Sequence, residues 1–533
     1  MKKKSIFNQI SATKLLLCCV FILFVFYPFF QMVINIDFED FKRVVSSASF
    51  IPATINSLKV AATTTVISVF IGLILAFCMQ RTRIKGKDIF SVLLILPMLI
   101  PSISHGMGLI VMFGTNGFIT KLLELNSTIY GFSGIIVGSV LYSYPVAFLM
   151  FNDVLKYQDS SPYEAAVILG IPKIRRTTAI TLSYLKRPLI SAIFTVFTMV
   201  VTDYGIPLMI GGKTTTLAVM MYQEVLGQLD FGKGSVIGLL LLIPAVITFL
   251  FNTFFKKSAK MGYVTKPFEL KKNPLRDVFA YLTCGTILAS IIMLIVSFAV
   301  VAFTVKYPSD MTFTFDNISK MIKLRGDTYL LNSLIIAVCV AFIGSVVAFI
   351  TAYLTARIPS KLSQCLHLFS ITSLAIPGLV LGLSYSLTFS GSFIYGTLAI
   401  LILANLMHFF ASPYQMMYNS LLKMNENLEN VGQTLGVSRF RIIIDVVVPQ
   451  CKYTLFEMFY YFFVNSMMTI SAVSFLANMN TKPISLMIGQ FEAQMLYECA
   501  AVISLIILIA NVMAKIIVTY VTRIATKKTK NTH

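Results

Sequence analysis

Apolar runs of about 17 to 25 residues recur roughly twelve times along this chain. A helix rising ~1.5 Å per residue needs that length to cross ~30 Å of hydrocarbon. Inside lipid a backbone amide finds no water, so each run must satisfy its hydrogen bonds within itself, and none alternates in the manner of a barrel strand. The runs fall near residues 14–34, 53–79, 89–115, 130–156, 188–212 and 233–255, then 278–305, 330–356, 365–390, 393–422, 453–478 and 497–521. A hydrophobic content of 57%, only 12% charged residues and a mean hydropathy of +0.83 exclude an ordinary soluble globular protein. The fold class expected is an all-α polytopic membrane protein with about 12 transmembrane helices.

The formal charge of +21 raises nucleic acid as a partner, but its placement points to a lipid bilayer instead. Lys2, Lys3, Lys4 and Lys14 precede the first run, and Arg81, Arg83, Lys85 and Lys87 follow the second. Lys173, Arg175, Arg176, Lys186 and Arg187 fill the fourth-to-fifth connection. Lys256, Lys257, Lys260, Lys266, Lys271, Lys272 and Arg276 fill the middle of the chain, and Lys527, Lys528 and Lys530 the tail. These segments alternate with near-neutral ones at 35–50 and 479–498, although 306–328 is mildly basic. By the positive-inside rule both termini are expected in the cytoplasm of a multi-pass inner or plasma membrane protein. The first run, behind its lysines, also has the form of a secretory signal. The run at 278–305 holds the equivalent place later in the chain, which favours retention, and Leu17 before Cys18 argues against lipoprotein cleavage. Eight cysteines without a CxxC pair read as apolar packing residues, and four scattered histidines suggest no metal site and no cofactor.

An internal repeat organises the runs. Asn56-Ser57-Leu58 matches Asn332-Ser333-Leu334, Ala76 matches Ala352, Arg81 matches Arg357, Pro101 matches Pro377 and Gly106 matches Gly382, all at an offset of 276. After the third run the offset becomes 266, because the second half lacks ten residues of the connection holding Lys121 and Glu124. Each half begins on the same side, so the repeats are expected to be parallel, six helices each, about an axis along the membrane normal. The division expected is a first repeat over 1–255, a cytoplasmic linker over 256–277 and a second repeat over 278–533.

Prolines mark a candidate translocation path. Leu96-Pro97-Met-Leu-Ile-Pro101 precedes Gly106 and Gly108, and Ile376-Pro377-Gly378 precedes Gly382. Proline removes a donor and clashes with the preceding turn, so both helices should bend or break mid-membrane and expose carbonyls. Simple packing kinks would explain the same residues. Asp203, in Thr202-Asp203-Tyr204-Gly205-Ile206-Pro207, is a candidate intramembrane carboxylate that must face water or a partner, or else mark a helix end. Its approximate counterpart is Ser471. Two phosphate-loop lookalikes, Gly227 to Lys233 and Gly212-Lys213-Thr214, lack the required spacing or the Ser/Thr after lysine, and no strand precedes them. No ATP site and no catalytic residue is therefore expected in the chain itself.

A short signature occurs once in each half, in a basic connection. The first copy is Glu164-Ala165-Ala166-Val-Ile-Leu-Gly170, followed ten residues after the glycine by Ile180-Thr-Leu182-Ser183. The second is Asn430-Val431-Gly432-Gln-Thr-Leu-Gly436, followed at the same distance by Val446-Val-Val448-Pro449. Small residues let a short helix approach a neighbour closely, and glycine accepts the backbone angles of a sharp turn. The pair resembles the EAA coupling loop of ABC-importer permeases. That resemblance implies a type I importer shell made of two fused permease subunits. It also implies two separate ATPase subunits gripped through Glu164, Ala165, Ala166, Gly170, Asn430, Val431, Gly432, Gly436 and Pro449, and an external solute-binding protein. Asn430 stands where the family has glutamate, with Glu429 adjacent, and Ser183 stands where it has the proline kept at Pro449.

Asp203-Tyr-Gly-Ile-Pro207-Leu-Met-Ile-Gly211-Gly212, Leu217-Ala218, Asp230-Phe231-Gly232 and Met468-Thr-Ile-Ser471-Ala472-Val473-Ser-Phe475-Leu476 are similar to fused iron(III)- or 2-aminoethylphosphonate-type permeases. The resemblance implies ferric iron, an organophosphonate or another small anion as solute; the helix breaks and the carboxylate give Pro101, Gly106, Asp203, Pro377, Gly382 and Ser471 as the candidate path residues. The alternative, an ion-gradient-driven transporter of two six-helix halves, predicts paired membrane carboxylates or a central basic residue for ion coupling.

Overall fold

The computed structural model describes residues 2–124, 126, 129–255 and 272–530. Most of the expected linker, with Lys256, Lys257, Lys260, Lys266 and Lys271, lies outside the described residues. So do the side chains of Lys2, Lys3, Lys4, Lys173, Lys527, Lys528 and Lys530.

The first half comprises α1 (Gln9–Ile34), α2 (Phe50–Arg81), α3 (Ser102–Phe113), α4 (Phe132–Lys156), α5 (Ser161–Ile168), α6 (Leu182–Val201), α7 (Gly205–Ile210) and α8 (Phe231–Phe255). The second comprises α9 (Pro274–Ala302), α10 (Gly326–Ala356), α11 (Lys361–Thr372), α12 (Gly378–Phe389), α13 (Leu398–Phe409), α14 (Ala411–Leu422), α15 (Leu428–Thr434), α16 (Val448–Met468) and α17 (Tyr497–Lys530). Among the described residues the only strands are the short antiparallel pair Thr304–Lys306 and Asp310–Phe313. Among the described residues eight helices are long and apolar enough to cross a membrane, and two bent pairs, α11 with α12 and α13 with α14, bring the number to ten if each pair is one span.

The other two expected spans are altered. The run at 89–115 is not one helix: it divides into Lys87–Leu93, the 3-10 turn Leu96–Leu99 and α3. The run at 453–478 starts earlier and leaves helical geometry after Met468. The expected span at 188–212 likewise ends at Val201 and resumes as α7. Proline explains the first break: Pro101 adopts φ −56° and ψ 147° immediately before α3. Pro377 repeats it with φ −59° and ψ 146° before α12, where the chain turns by 107°.

Long helices pack closely because one face of each carries small residues. On α2 the buried face includes Ala53, Ser57, Ala61, Ser68, Gly72 and Ala76, and on α10 Ser333, Ala337, Gly344, Ala348 and Ala352. A Cβ on Gly72 would lie 2.7 Å from the Phe148 amide nitrogen of α4, and one on Gly344 2.8 Å from the Phe462 ring of α16. In lipid, where greasy surface gains little by leaving its solvent, such close approach supplies the packing attraction. The opposite faces are apolar and outward, with Val66, Phe70 and Phe342 each more than 60% exposed.

The first helix of each half crosses to the other. Phe21 of α1 meets Phe410 at 5.0 Å between ring centroids, and the Tyr385 hydroxyl donates to the Phe24 carbonyl at 2.6 Å. Lys14 Nζ donates to the Ile358 carbonyl at 2.8 Å and the Ser363 hydroxyl at 2.7 Å. Reciprocally, α9 packs on α2 and α3. There Asp277 accepts from the Arg83 amide at 3.1 Å, and Gly108 leaves room for Leu294 and Phe298.

Candidate functional site

Where the broken helices of both halves meet, a cavity of about 270 Å³ opens. That is near the lower edge of the ~300–1,000 Å³ typical of small-molecule sites. Pro101, Asp203, Pro377 and Ser471 line it; Gly106 and Gly382 do not. A Cβ at Gly106 would sit 2.7 Å from Met209 Cβ, and one at Gly382 2.9 Å from the Ala472 carbonyl oxygen, so these glycines serve helix packing beside the cavity.

Asp203 does two things at once. Its carboxylate accepts from the Ile206 amide at 3.1 Å and the Gly205 amide at 3.4 Å, and the Ser102 hydroxyl bonds to it as well. It thereby satisfies the amides at the start of α7, while its remaining surface faces the cavity. Helix end and cavity wall are the same residue. Gly378 is required on the opposite wall, since a Cβ there would run into Ser471 Oγ.

Hydroxyls from Tyr142, Thr198, Thr202, Ser373, Ser412, Tyr461 and Thr469, with Asn465 and His408, share the remaining lining with apolar side chains such as Met199, Leu374, Phe409 and Ile470. No lysine or arginine is among the described lining residues. Nor do the described residues contain a group of three or more His, Cys, Asp or Glu placed to hold a metal ion. Tyr142, His408 and Tyr461 escape sequence reasoning because a single polar ring in an apolar run has no periodic mark. Tyr142 and His408 do stand 266 residues apart, so they occupy one position of the repeat and the offset is the signal that could have found them.

The two signatures form matching elbows. In the first, α5 ends at a left-handed Gly170 (φ +67°), with the Gly170 amide bonded to the Val167 carbonyl and the Ile171 amide to the Ala166 carbonyl, both at 3.0 Å. In the second, Gly436 takes φ +75° and the Val437 amide reaches the Gly432 carbonyl at 2.9 Å. This is the glycine helix stop, which satisfies the last carbonyls and costs other residues strain. Glu164, Ala165, Gly170, Asn430, Val431 and Gly436 face outward. Ala166 is buried, and a Cβ on Gly432 would strike the Ile442 side chain, so Gly432 makes room for the chain's own next helix. Beside them Val167, Ile168 and Leu169 in one elbow, and Leu435 and Phe440 in the other, are more than half exposed. A π-turn follows each elbow, Thr177–Thr181 and Ile443–Val447, again 266 residues apart. Pro449 then stands directly after the π-turn, at the start of α16, whereas Ser183 returns its hydroxyl to the Ala179 carbonyl at 2.6 Å.

An arginine that the repeat matches, though its role is not apparent from sequence, holds each elbow. Arg357, just past α10, donates to Glu429 from Nε at 2.8 Å and from Nη2 at 2.5 Å, with side chains 5% and 8% exposed. Burial opposes ionisation of Glu429, but the hydrogen bonds and charge of Arg357 outweigh it and hold the carboxyl below its usual range. Arg81 holds its equivalent place through the Leu155 carbonyl at 3.3 Å, Gln158 and Tyr163.

Two regions of the chain, 68–261 and 344–526, match the family described as binding-protein-dependent transport system inner membrane component, and each region contains one broken-helix wall and one elbow. The chain belongs to that family. It is a polytopic ABC-importer permease with two copies of the family's unit. Similar proteins include the putative ferric transport system permease protein FbpB 1 of Haemophilus influenzae, 25% identical over 88% of this chain and 78% of that protein. The ferric transport system permease protein FbpB of Actinobacillus pleuropneumoniae is 26% identical over 83% of this permease and 67% of its own length. The molybdenum transport system permease protein ModB of Azotobacter vinelandii is 29% identical over 32% of this permease and 78% of its own length.

Proposed function

We propose that this permease imports a small solute, with ferric iron favoured over an organophosphonate or another small anion, through the cavity between its broken helices. The observation that carries the reading is the repetition of one outward-facing elbow in each half, with a left-handed glycine and exposed apolar side chains at equivalent positions. In this reading each elbow seats in a separate ATPase subunit, through Glu164, Ala165 and Gly170 in one half and Asn430, Val431 and Gly436 in the other. Ala166, Gly432 and Pro449 shape the elbows from within. Both elbows and both termini face the cytoplasm, and an external binding protein delivers solute to the opposite mouth. ATP-driven closure of the ATPase pair turns the cavity from one opening to the other, and hydrolysis resets it. The two repeats span 1–255 and 278–533, joined through 256–277. Similarity to the relatives named for ferric transport supports the iron choice.

Purification with the candidate ATPase subunits tests the docking. Wild-type protein should retain them, and the double variant Gly170→Arg with Gly436→Arg should lose them; undiminished retention overturns the proposal. Uptake into proteoliposomes should require ATP and binding protein and survive collapse of the membrane potential. Calorimetry of the binding protein with ferric ion and with 2-aminoethylphosphonate decides the solute.

A further inference from the structure

Resting on that docking reading, we propose that Arg357 is a positioning residue for energy coupling. Its fork to Glu429 makes the second elbow and α10 one rigid lever, so the two ATPase docking points are mechanically unequal. The guanidinium reaches three places at once. Besides both Glu429 oxygens it donates from Nη1 to the Met424 carbonyl at 3.2 Å and from Nη2 to the Asn425 carbonyl at 2.6 Å. The foot of α10, the exit of α14 and the first turn of α15 therefore meet on one planar, nearly fully buried group. Paired hydrogen bonds between a guanidinium and a carboxylate fix orientation as well as distance, which a lysine or a neutral donor cannot do.

Motion at this elbow has a contiguous route to the cavity. Helix α10 packs along α16 and α14. The end of α16 supplies Met468 and Thr469 to the cavity wall, and α14 supplies Ser412. In the first half the position of Glu429 is occupied by Tyr163, at the offset of 266, and Arg81 meets that phenol together with the Gln158 amide. The first elbow thus meets its α2 arginine with a phenol at the position where the second elbow meets its α10 arginine with a carboxylate and a charged fork. A load applied equally to both elbows moves the second half as a body and lets the first half yield.

The test uses the full chain with its ATPase subunits and binding protein in proteoliposomes, reading binding-protein-stimulated over basal ATP hydrolysis, and solute moved per ATP. Arg357→Gln and Glu429→Gln should keep the ATPase subunits bound yet lower the stimulation ratio by roughly tenfold, the consequence of breaking a buried pair. Arg81→Gln should lower it by about twofold or less, because the bonds it loses to the Leu155 carbonyl, Gln158 and Tyr163 are bonds to uncharged groups and a tyrosine stands where the second half has Glu429. The charge-reversed double variant Arg357→Glu with Glu429→Arg should recover part of the loss. If Arg357→Gln is not monodisperse, Arg357→Lys, which keeps the charge but not the fork, carries the same expectation with a smaller loss. Unchanged stimulation in the position 357 and 429 variants, or equal losses at positions 81 and 357, overturns the unequal lever. Failure of the wild type to retain any ATPase overturns the docking reading instead.

Discussion

Single residues decide how the elbows behave, and the backbone separates two roles of glycine. Gly170 and Gly436 have open space where a Cβ would stand, with no atom within 4 Å, so their need for glycine lies in the positive φ alone. Gly170→Ala and Gly436→Ala should each cost about 1 kcal/mol of strain without a clash, seen as a small fall in melting temperature with ATPase retained. Asparagine should cost less than alanine there, as it tolerates the left-handed region. For Glu429 the folded pKa lies below the ordinary 4.5. Its contribution is therefore fully present above that value and disappears only as pH falls through the lowered folded value. Glu429→Gln should be less stable than wild type by about 3 kcal/mol at neutral pH, and the two melting curves should converge only as the pH falls below 4.5 and through the lowered folded value. The glycines are legible in sequence because spacing repeats them. The arginine clamps are legible only as matches, since nothing local says which partner a long side chain will reach across the fold.

At the scale of elements, most helices follow directly from apolar run length, and the failures all occur at breaks. Pro101 and Pro377 announce theirs, and the structure places both at the cavity wall. The end of α16 at Met468 has no proline or glycine to mark it; extended backbone at Thr469 (ψ 136°) and the turns after it are set by packing against the other half. Tyr204 shows that dependence, donating or accepting with the Ser474 hydroxyl at 2.7 Å across 270 residues of sequence. Long-range contacts of this kind leave no periodicity to read. The candidate path residues Gly382 and Ser471 should separate by experiment. Gly382→Val pushes a branched side chain at the backbone carbonyl of Ala472, which cannot move as a flexible side chain can. It should cost about 3 kcal/mol or prevent folding, read by yield and melting of the purified protein. Ser471→Ala removes only a hydroxyl facing the cavity and should leave melting unchanged while altering uptake.

In the whole molecule, the repeat predicts two similar halves, yet it does not predict that each would lend its first helix to the other. Nothing in hydropathy distinguishes a helix packed on its own half from one packed on its neighbour, because both present the same apolar stripe. The exchange has a consequence that local reading misses: severing the chain between the halves leaves α1 buried among second-half residues such as Phe410 and Tyr385, and α9 packed on α2 and α3 of the first half as well as on α17 of its own. Native cysteines provide the rulers. The Cys18 thiol of α1 lies beside that of Cys365 of α11, and the Cys78 thiol of α2 beside that of Cys284 of α9. A variant retaining only Cys18 and Cys365, with a protease site inserted into 256–271, should give two fragments on a reducing gel. After treatment with a diamide-type thiol oxidant, which takes up the two electrons and two protons released as the S–S bond forms, those fragments should run as one band under non-reducing conditions. The Cys78 and Cys284 pair should behave the same way, and a variant keeping Cys18 with Cys78 should not. Two free fragments from both native pairs would mean that each first helix stays at home, and the cross-half contacts that tie the second elbow's foundation to Lys14 would have to be abandoned with it.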